Sequence, residues 1–309
     1  MRIPLGILNW FLRRVERRAF ARITDHTRFR RRFARQGRFV FRQPQGVAYV
    51  PDHLTDAGRS VPAQWVQAGP KMRDGVILYL HGGAYAVGGP VTHRAMLARL
   101  SSLTGLRAVL PDYRKAPEHP FPAAHEDAVT AYRALLARGY PPGRIVLGGD
   151  SAGGGLMLAL LHEICSQDLP RPGAAFAFSP WTDLTLSGGT ITSNAARDVL
   201  LPAERTAELR DLYLNGADAK DPRASPLFGQ FKGAPDIRID VGSTEILLED
   251  SRRMAKVLKS QGVTVQLHEH DNLPHVWPIF QGLLAEADQT LRDVADFIGE
   301  VAARNKMKS

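Results

Sequence analysis

The segment Gly149-Asp150-Ser151-Ala152-Gly153 spells G-x-S-x-G within a chain of 309 residues. A serine hydroxyl attacks a carbonyl carbon only when a base takes its proton and donors receive the charge that develops on the carbonyl oxygen. With Gly and Ser each near ~7% of residues, such a pentamer arises by chance in about one chain in ten of this length. Its weight therefore comes from context. Ile145-Val146-Leu147 reads as a strand and Leu156–Ile164 as a helix. A sharp strand-to-helix turn needs flanks almost free of side chains, which Gly149 and Gly153 provide, while Gly154 lets the helix pack closely on a sheet. Ser151 is then held above the strand ends, where the amides of a helix N-terminus point. A phosphate-binding turn is the rival reading, but the segment has neither the Lys nor the G-x-G-x-x-G spacing that it requires.

A second segment could supply the donors. The apolar run Val76–Leu80 leads directly into His81-Gly82-Gly83-Ala84-Tyr85. Backbone N–H groups of small residues stabilise an oxyanion without steric obstruction, and a Gly-Gly turn after the third strand is where such a fold places them. The expected oxyanion hole is the amides of Gly82, Gly83 and Ala152. His81 is expected to brace this loop by hydrogen bonding and not to act as the base.

These two motifs together resemble the hormone-sensitive-lipase-like esterases of the α/β-hydrolase superfamily, whose signatures are a His-Gly-Gly-Gly loop and a Gly-Asp-Ser-Ala-Gly-Gly elbow. The chain departs at the fourth loop position, Ala84. The stretches Asp112–Ala124, Ser179–Asp183 and Asp221–Pro226 also resemble that family, so the likeness runs from about Asp74 to Ile298. It implies a serine nucleophile, then an acid, then a histidine in chain order. His275, in Asn272-Leu273-Pro274-His275-Val276-Trp277, resembles the family's catalytic histidine. His268 and His270 compete by proximity, but they lie on or at the end of a strand. In the family's register Glu245 falls on the catalytic aspartate, with Asp250 as the alternative acid. His268, Glu269, His270 and His275 match no metal-ligand spacing, so neither a metal nor a cofactor is expected. The implied activity is hydrolysis of short- to medium-chain acyl esters through a Ser151-Glu245-His275 triad and a covalent acyl-enzyme. Lactone or amide hydrolysis by the same triad is the near alternative. A non-catalytic ligand-binding member of the fold is the far one, and the presence of His275 speaks against it. Tyr85, Trp181 and Trp277 are candidates for the substrate pocket, with ordinary core as the competing role.

The elements that must position these groups alternate along the chain. Expected strands are Gly46–Val50, Ala63–Gln67, Val76–Leu80, Arg107–Leu110, Ile145–Gly148, Ala174–Phe178, Ile237–Val241 and Val263–His268. Expected helices are Val91–Thr104, Ala123–Arg138, Ala152–Cys165, Leu247–Ser260 and Pro278–Ala303. Several strands are continuous apolar runs, as befits a parallel sheet covered on both faces. The pattern predicts an α/β-hydrolase fold with an eight-stranded, mostly parallel sheet flanked by helices. About sixty residues from Trp181 to Pro235, with a helical stretch near Pro202–Asn215, exceed what a crossover needs. The expected organisation is a cap segment at 1–45, a catalytic domain at 46–180 and 236–309, and a lid insertion at 181–235.

The net charge of +9 is unevenly placed. Residues 1–42 hold thirteen Arg against Glu16 and Asp25, which gives +11, so the remaining residues carry −2. The body therefore has no reason to seek nucleic acid. Leu8, Phe11, Leu12, Val15, Ala19 and Ile23 recur at helical spacing among the arginines. Such a helix either packs its apolar stripe on the body or attaches, through Arg and Trp10, to an anionic membrane surface. The apolar run Ile3–Leu12 is short for a secretory signal, and no later stretch approaches the ~20 apolar residues of a membrane span. Cys165 alone permits no intrachain disulfide, fits a reducing compartment, and is expected in the core. These features suggest a cytoplasmic or membrane-peripheral protein acting on a small-molecule ester, with a homodimer compatible.

Overall fold

The computed structural model describes residues 2–41, 44–69 and 74–308; Met1 and Arg42 of the basic arm lie outside them. Eight strands form one sheet in the order β1-β2-β4-β3-β5-β6-β7-β8. They are β1 Val47–Asp56, β2 Arg59–Ala68, β3 Val76–Leu80, β4 Arg107–Pro111, β5 Ile145–Asp150, β6 Ala174–Phe178, β7 Ile237–Gly242 and β8 Val265–His270. β2 runs antiparallel to β1 and β4, and the other pairs are parallel. The α/β-hydrolase architecture read from the sequence is the one observed.

The central strands β3, β5, β6 and β7 are buried along their whole length; β3, β6 and the first half of β5 are accordingly continuous apolar runs, whereas β7 buries Arg238 and Asp240 as an ion pair. Helices cover both faces. After three helices in the arm (α1 Leu5–Phe11, α2 Arg17–Ala21, α3 His26–Val40) come α4 Pro90–Thr104, α5 Ala123–Ala137 and α6 Ser151–Ser166. The insertion holds α7 Thr190–Ser193 and α8 Thr206–Leu214, and α9 Leu248–Ser260 and α10 Ala285–Lys308 complete the chain.

Several elements differ from expectation. β1 and β2 are ten-residue strands in one hairpin, turned by Ala57 and Gly58, both at positive φ. Pro51 and Pro62 interrupt the apolar pattern of these strands, and Ala-Gly is not a strong turn signal. β8 lies two residues later than expected. The predicted last helix breaks into a 3₁₀ turn, Trp277–Phe280, and α10, with Gly282 at positive φ between them. In the arm, Leu8 and Leu12 are buried, but Phe11 and Val15 of the expected packing stripe are 43% and 42% exposed. A π-helical turn at Leu12–Glu16 joins α1 to α2 and shifts the register there. Cys165 is half-buried against the core.

Arm and insertion are tied together. Arg13 donates to the carbonyls of Ala196 and Arg197, Arg17 to those of Ala195 and Leu201, and Arg205 to those of Ala21 and Ile23. Phe20, Phe29 and Phe33 cluster between α2 and α3, with Phe29 and Phe33 stacked at 6.1 Å.

Candidate active site

Strand register brings the two glycine motifs together. Leu80 on β3 pairs with Gly149 on β5, so the residues that follow each strand emerge side by side. Asp150 is buried between them. Its Oδ1 accepts the Tyr79 hydroxyl at 2.9 Å and the Gly82 N–H at 3.0 Å, and its Oδ2 meets His93 Nε2 at 3.3 Å. Its backbone turns straight into α6. Ser151 has φ 52°, a left-handed conformation that costs a non-glycine residue about 1–3 kcal/mol. A side chain at Gly149 would collide with the Gly153 carbonyl, and one at Gly153 with the carbonyls of Leu80 and His81. The turn read from G-x-S-x-G is therefore present, and close backbone approach explains both glycines.

Glu245, the expected acid, stands in the turn that follows β7. Glu245 is 1% exposed. Its Oε1 accepts the Ser179 hydroxyl at 2.7 Å and the Gly242 N–H at 2.6 Å. Its Oε2 lies 2.6 Å from His275 Nδ1. The insertion anchors the same loop: Asn194 Nδ2 donates to the Glu245 carbonyl at 2.8 Å, and Asp198 Oδ2 accepts the Ile246 N–H at 2.9 Å. Sequence reasoning missed Ser179, Asn194 and Asp198; no spacing links them to Glu245, and only the folded loops do. The rival acid, Asp250, faces elsewhere, with its Oδ2 accepting the N–H groups of Thr182 and Asp183.

His275 follows β8 on a loop that returns over Glu245, and the next residue, Val276, has φ 53°. Burial pulls the imidazole pKa down, but the Glu245 carboxylate, through charge and hydrogen bond, together with Asp198 and Asp150, leaves it raised. The competing His270 bonds Asp240 Oδ1 at 2.8 Å beside the buried Arg238–Asp240 pair, with His268 next to it. Neither lines the cavity that holds Ser151 and His275. His81 stacks on Tyr113 at 4.2 Å, with its Nδ1 2.8 Å from the Gly82 carbonyl. Burial holds its pKa well below the ordinary value, so it braces the loop as a neutral ring. Among the described residues no cluster of three or more His, Cys, Asp or Glu could hold a metal.

Two sequence assignments change. The Gly82 N–H is already engaged by Asp150, which removes it as a free oxyanion donor. The next two amides, of Gly83 and Ala84, have no acceptor among the described residues, and Ala84 adopts φ 51°. The loop's departure from glycine thus falls on one of the two unengaged amides. The aromatic trio is also corrected. Tyr85 stacks on Tyr213 at 3.7 Å, Trp181 is 4% exposed, and Trp277 is fully buried with its Nε1 donating to Thr290 at 2.9 Å. None of the three lines the cavity.

That cavity, about 370 Å³, opens on Ser151 and His275 between the glycine loop, the arm and the insertion. Phe11, Leu12, Phe20, Leu209, Ile279 and Phe280 give it apolar walls. Glu16, His26 and Arg205 form a polar portion, where burial raises the Glu16 carboxyl and lowers the His26 imidazole.

Comparison with known proteins places the chain in a family. A family model of the α/β-hydrolase fold matches residues 77–279. An acetyl-hydrolase of Streptomyces hygroscopicus is 39% identical over 256 residues, covering 82% of this chain and 83% of that protein. An esterase of Acinetobacter venetianus is 36% identical over 72% of this chain and 74% of its own length. Among solved structures, the esterase EstE5 soaked with p-nitrophenyl butyrate has a TM-score of 0.89 at 38% identity, covering 97% of this chain and 98% of that one. An esterase of the bacterial hormone-sensitive lipase family has a TM-score of 0.89 at 37% identity, covering 98% and 100%. No described helix is long and apolar enough to cross a membrane. With this fold and these relatives, the chain belongs to the hormone-sensitive-lipase-like esterases of the α/β-hydrolase superfamily and is a carboxylic ester hydrolase.

Proposed function

We propose that Ser151 is the nucleophile, His275 the base and Glu245 the acid in hydrolysis of short- to medium-chain acyl esters. The observation that carries this reading is the 2.6 Å contact from Glu245 Oε2 to His275 Nδ1, on a histidine that shares one cavity with Ser151. A carboxylate on Nδ1 fixes the tautomer that leaves Nε2 free to accept a proton. As the Ser151 Oγ bonds to the ester carbonyl carbon, its proton passes to Nε2. The oxyanion is held by the N–H groups of Gly83, Ala84 and Ala152. Collapse expels the alcohol, which takes the proton back from the imidazolium, and water cleaves the acyl-enzyme by the same route.

The cavity and the relatives support this acyl range. The apolar walls and a volume of about 370 Å³ suit a small acyl ester, at the lower end of ~300–1,000 Å³ ligand pockets. One relative is named an acetyl-hydrolase and a neighbour was soaked with a butyrate ester. Residues 181–235 act as the lid, closing the cavity through Leu200, Leu201 and Leu209. Ser151→Ala should lower kcat on p-nitrophenyl butyrate by at least ~10⁴. Turnover at the parent rate would remove Ser151 from the mechanism.

A further inference from the structure

The arm carries more positive charge than the fold uses. Arg13 and Arg17 hold the insertion, and Arg30 pairs with Glu118 at 3.0 Å. Arg14, Arg18, Arg22, Arg28, Arg31 and Arg35 do no such work. All six are exposed, and none has an ion-pair partner among the described residues. They line one groove between α1–α2 and α3, in which Asp25 is the only acid among the lining residues. Asp25 already caps α3 by accepting the Arg28 N–H at 2.8 Å.

The outer face of α1–α2 extends this groove with apolar side chains. Ile7 is 59% exposed and Trp10 61%, with Phe11 and Val15 beside them. Ile7, Trp10, Phe11, Arg14, Val15, Arg18 and Arg22 are all exposed, so one stripe runs from apolar to basic along the chain from α1 to the end of α2. We propose that this face docks on an anionic lipid bilayer, with the arginines against headgroup phosphates and Trp10 and Ile7 in the interfacial layer. Nucleic acid would satisfy the charge, but it offers no partner to an exposed Ile7 and Val15. Phe11 belongs both to the stripe and to the wall of the Ser151 cavity, so docking sets that cavity against the lipid surface. Esters partitioned into the bilayer are then the favoured substrates, a consequence that rests on the proposed role of Ser151; docking itself does not.

The test is sedimentation of the full chain with vesicles of phosphatidylglycerol and phosphatidylcholine, against pure phosphatidylcholine, at low and high salt. Binding should require the anionic lipid and fall with salt. Each basic residue at such a surface contributes roughly fivefold, so the R14E/R18E/R22E variant should lose about a hundredfold or more in partitioning. Its hydrolysis of soluble p-nitrophenyl butyrate should stay at the parent rate. The other tryptophans, Trp65, Trp181 and Trp277, are buried, so a blue shift of emission on anionic vesicles should vanish in W10F. Equal binding to neutral vesicles, undiminished binding by the triple variant, or preference for duplex DNA at equal phosphate would overturn the proposal. S151A should bind vesicles like the parent. If S151A bound yet still turned over soluble ester, the docking surface would stand and the assignment of the nucleophile would fall.

Discussion

Glu245→Gln is a perturbation whose outcome the structure dictates atom by atom. The Gln carbonyl would take the place of Oε1, because the Ser179 hydroxyl and the Gly242 N–H both donate there. Its NH₂ group would then face His275 Nδ1, where Oε2 now sits at 2.6 Å. An NH₂ donates, so Nδ1 must accept, and the imidazole proton moves to Nε2. In that tautomer Nε2 cannot take the Ser151 proton. The loss expected is ~10⁴ in kcat, or about 5 kcal/mol of transition-state stabilisation. The pH profile gives a second readout. Glu245 is the main influence raising the His275 pKa against the effect of burial. The acid limb of kcat/KM, which reports the free enzyme's base, should therefore move to lower pH in the variant. The assay is p-nitrophenyl butyrate hydrolysis from pH 4 to 9. A kcat within about threefold of the parent, with the acid limb in place, would refute the assignment of Glu245 and the tautomer argument with it.

Other consequences are equally direct. Leu209→Trp, which fills the cavity, should shift the optimum in a p-nitrophenyl ester series toward shorter chains and cut kcat/KM for the longest by about tenfold or more. Trp277→Ala should cost ~3–5 kcal/mol of stability by denaturant titration and leave that optimum where it is. Asp150→Ala strands the buried Tyr79 hydroxyl and the Gly82 N–H, at ~1–3 kcal/mol each, and should lower both Tm and kcat as the oxyanion loop loosens. Burial pushes the Asp250 carboxyl up to about 7. The folded state then binds this proton more tightly than the unfolded chain, whose aspartate titrates near ~3.9. That contribution is intact below about pH 4 and is lost as pH rises through 7. Asp250→Asn should accordingly lose less Tm than the parent between pH 5 and 8 in a melting series.

Local signals carried most of the fold and the core of the candidate site. β3, β5 and β6 were legible because strands buried on both faces read as apolar runs, β7 despite the buried Arg238–Asp240 pair that interrupts its own, and the elbow because a turn that tight leaves no room at Gly149 and Gly153. Glu245 and His275 were legible only through resemblance, since thirty residues separate groups that meet by strand register. In the glycine loop the unengaged amides begin one residue later than expected. Sequence shows which amides are unobstructed, but it does not show that the Asp150 carboxylate occupies the first of them. The aromatic trio was misplaced for a similar reason: large side chains near catalytic positions fit a core as well as a pocket, and Tyr85 found Tyr213 on the insertion. The cavity walls could not be read at all. They come from the arm, the insertion and the loop after β8, three segments that touch only once the cap has folded over the sheet.

The most direct test of the mechanism is mass spectrometry of the intact and digested protein after brief exposure to a fluorophosphonate. A single adduct on the peptide holding Ser151 is predicted, forming at least ~10³ times more slowly in His275→Ala, where the base is gone. An adduct on another residue, or labelling of Ser151 at the parent rate without His275, would contradict the account.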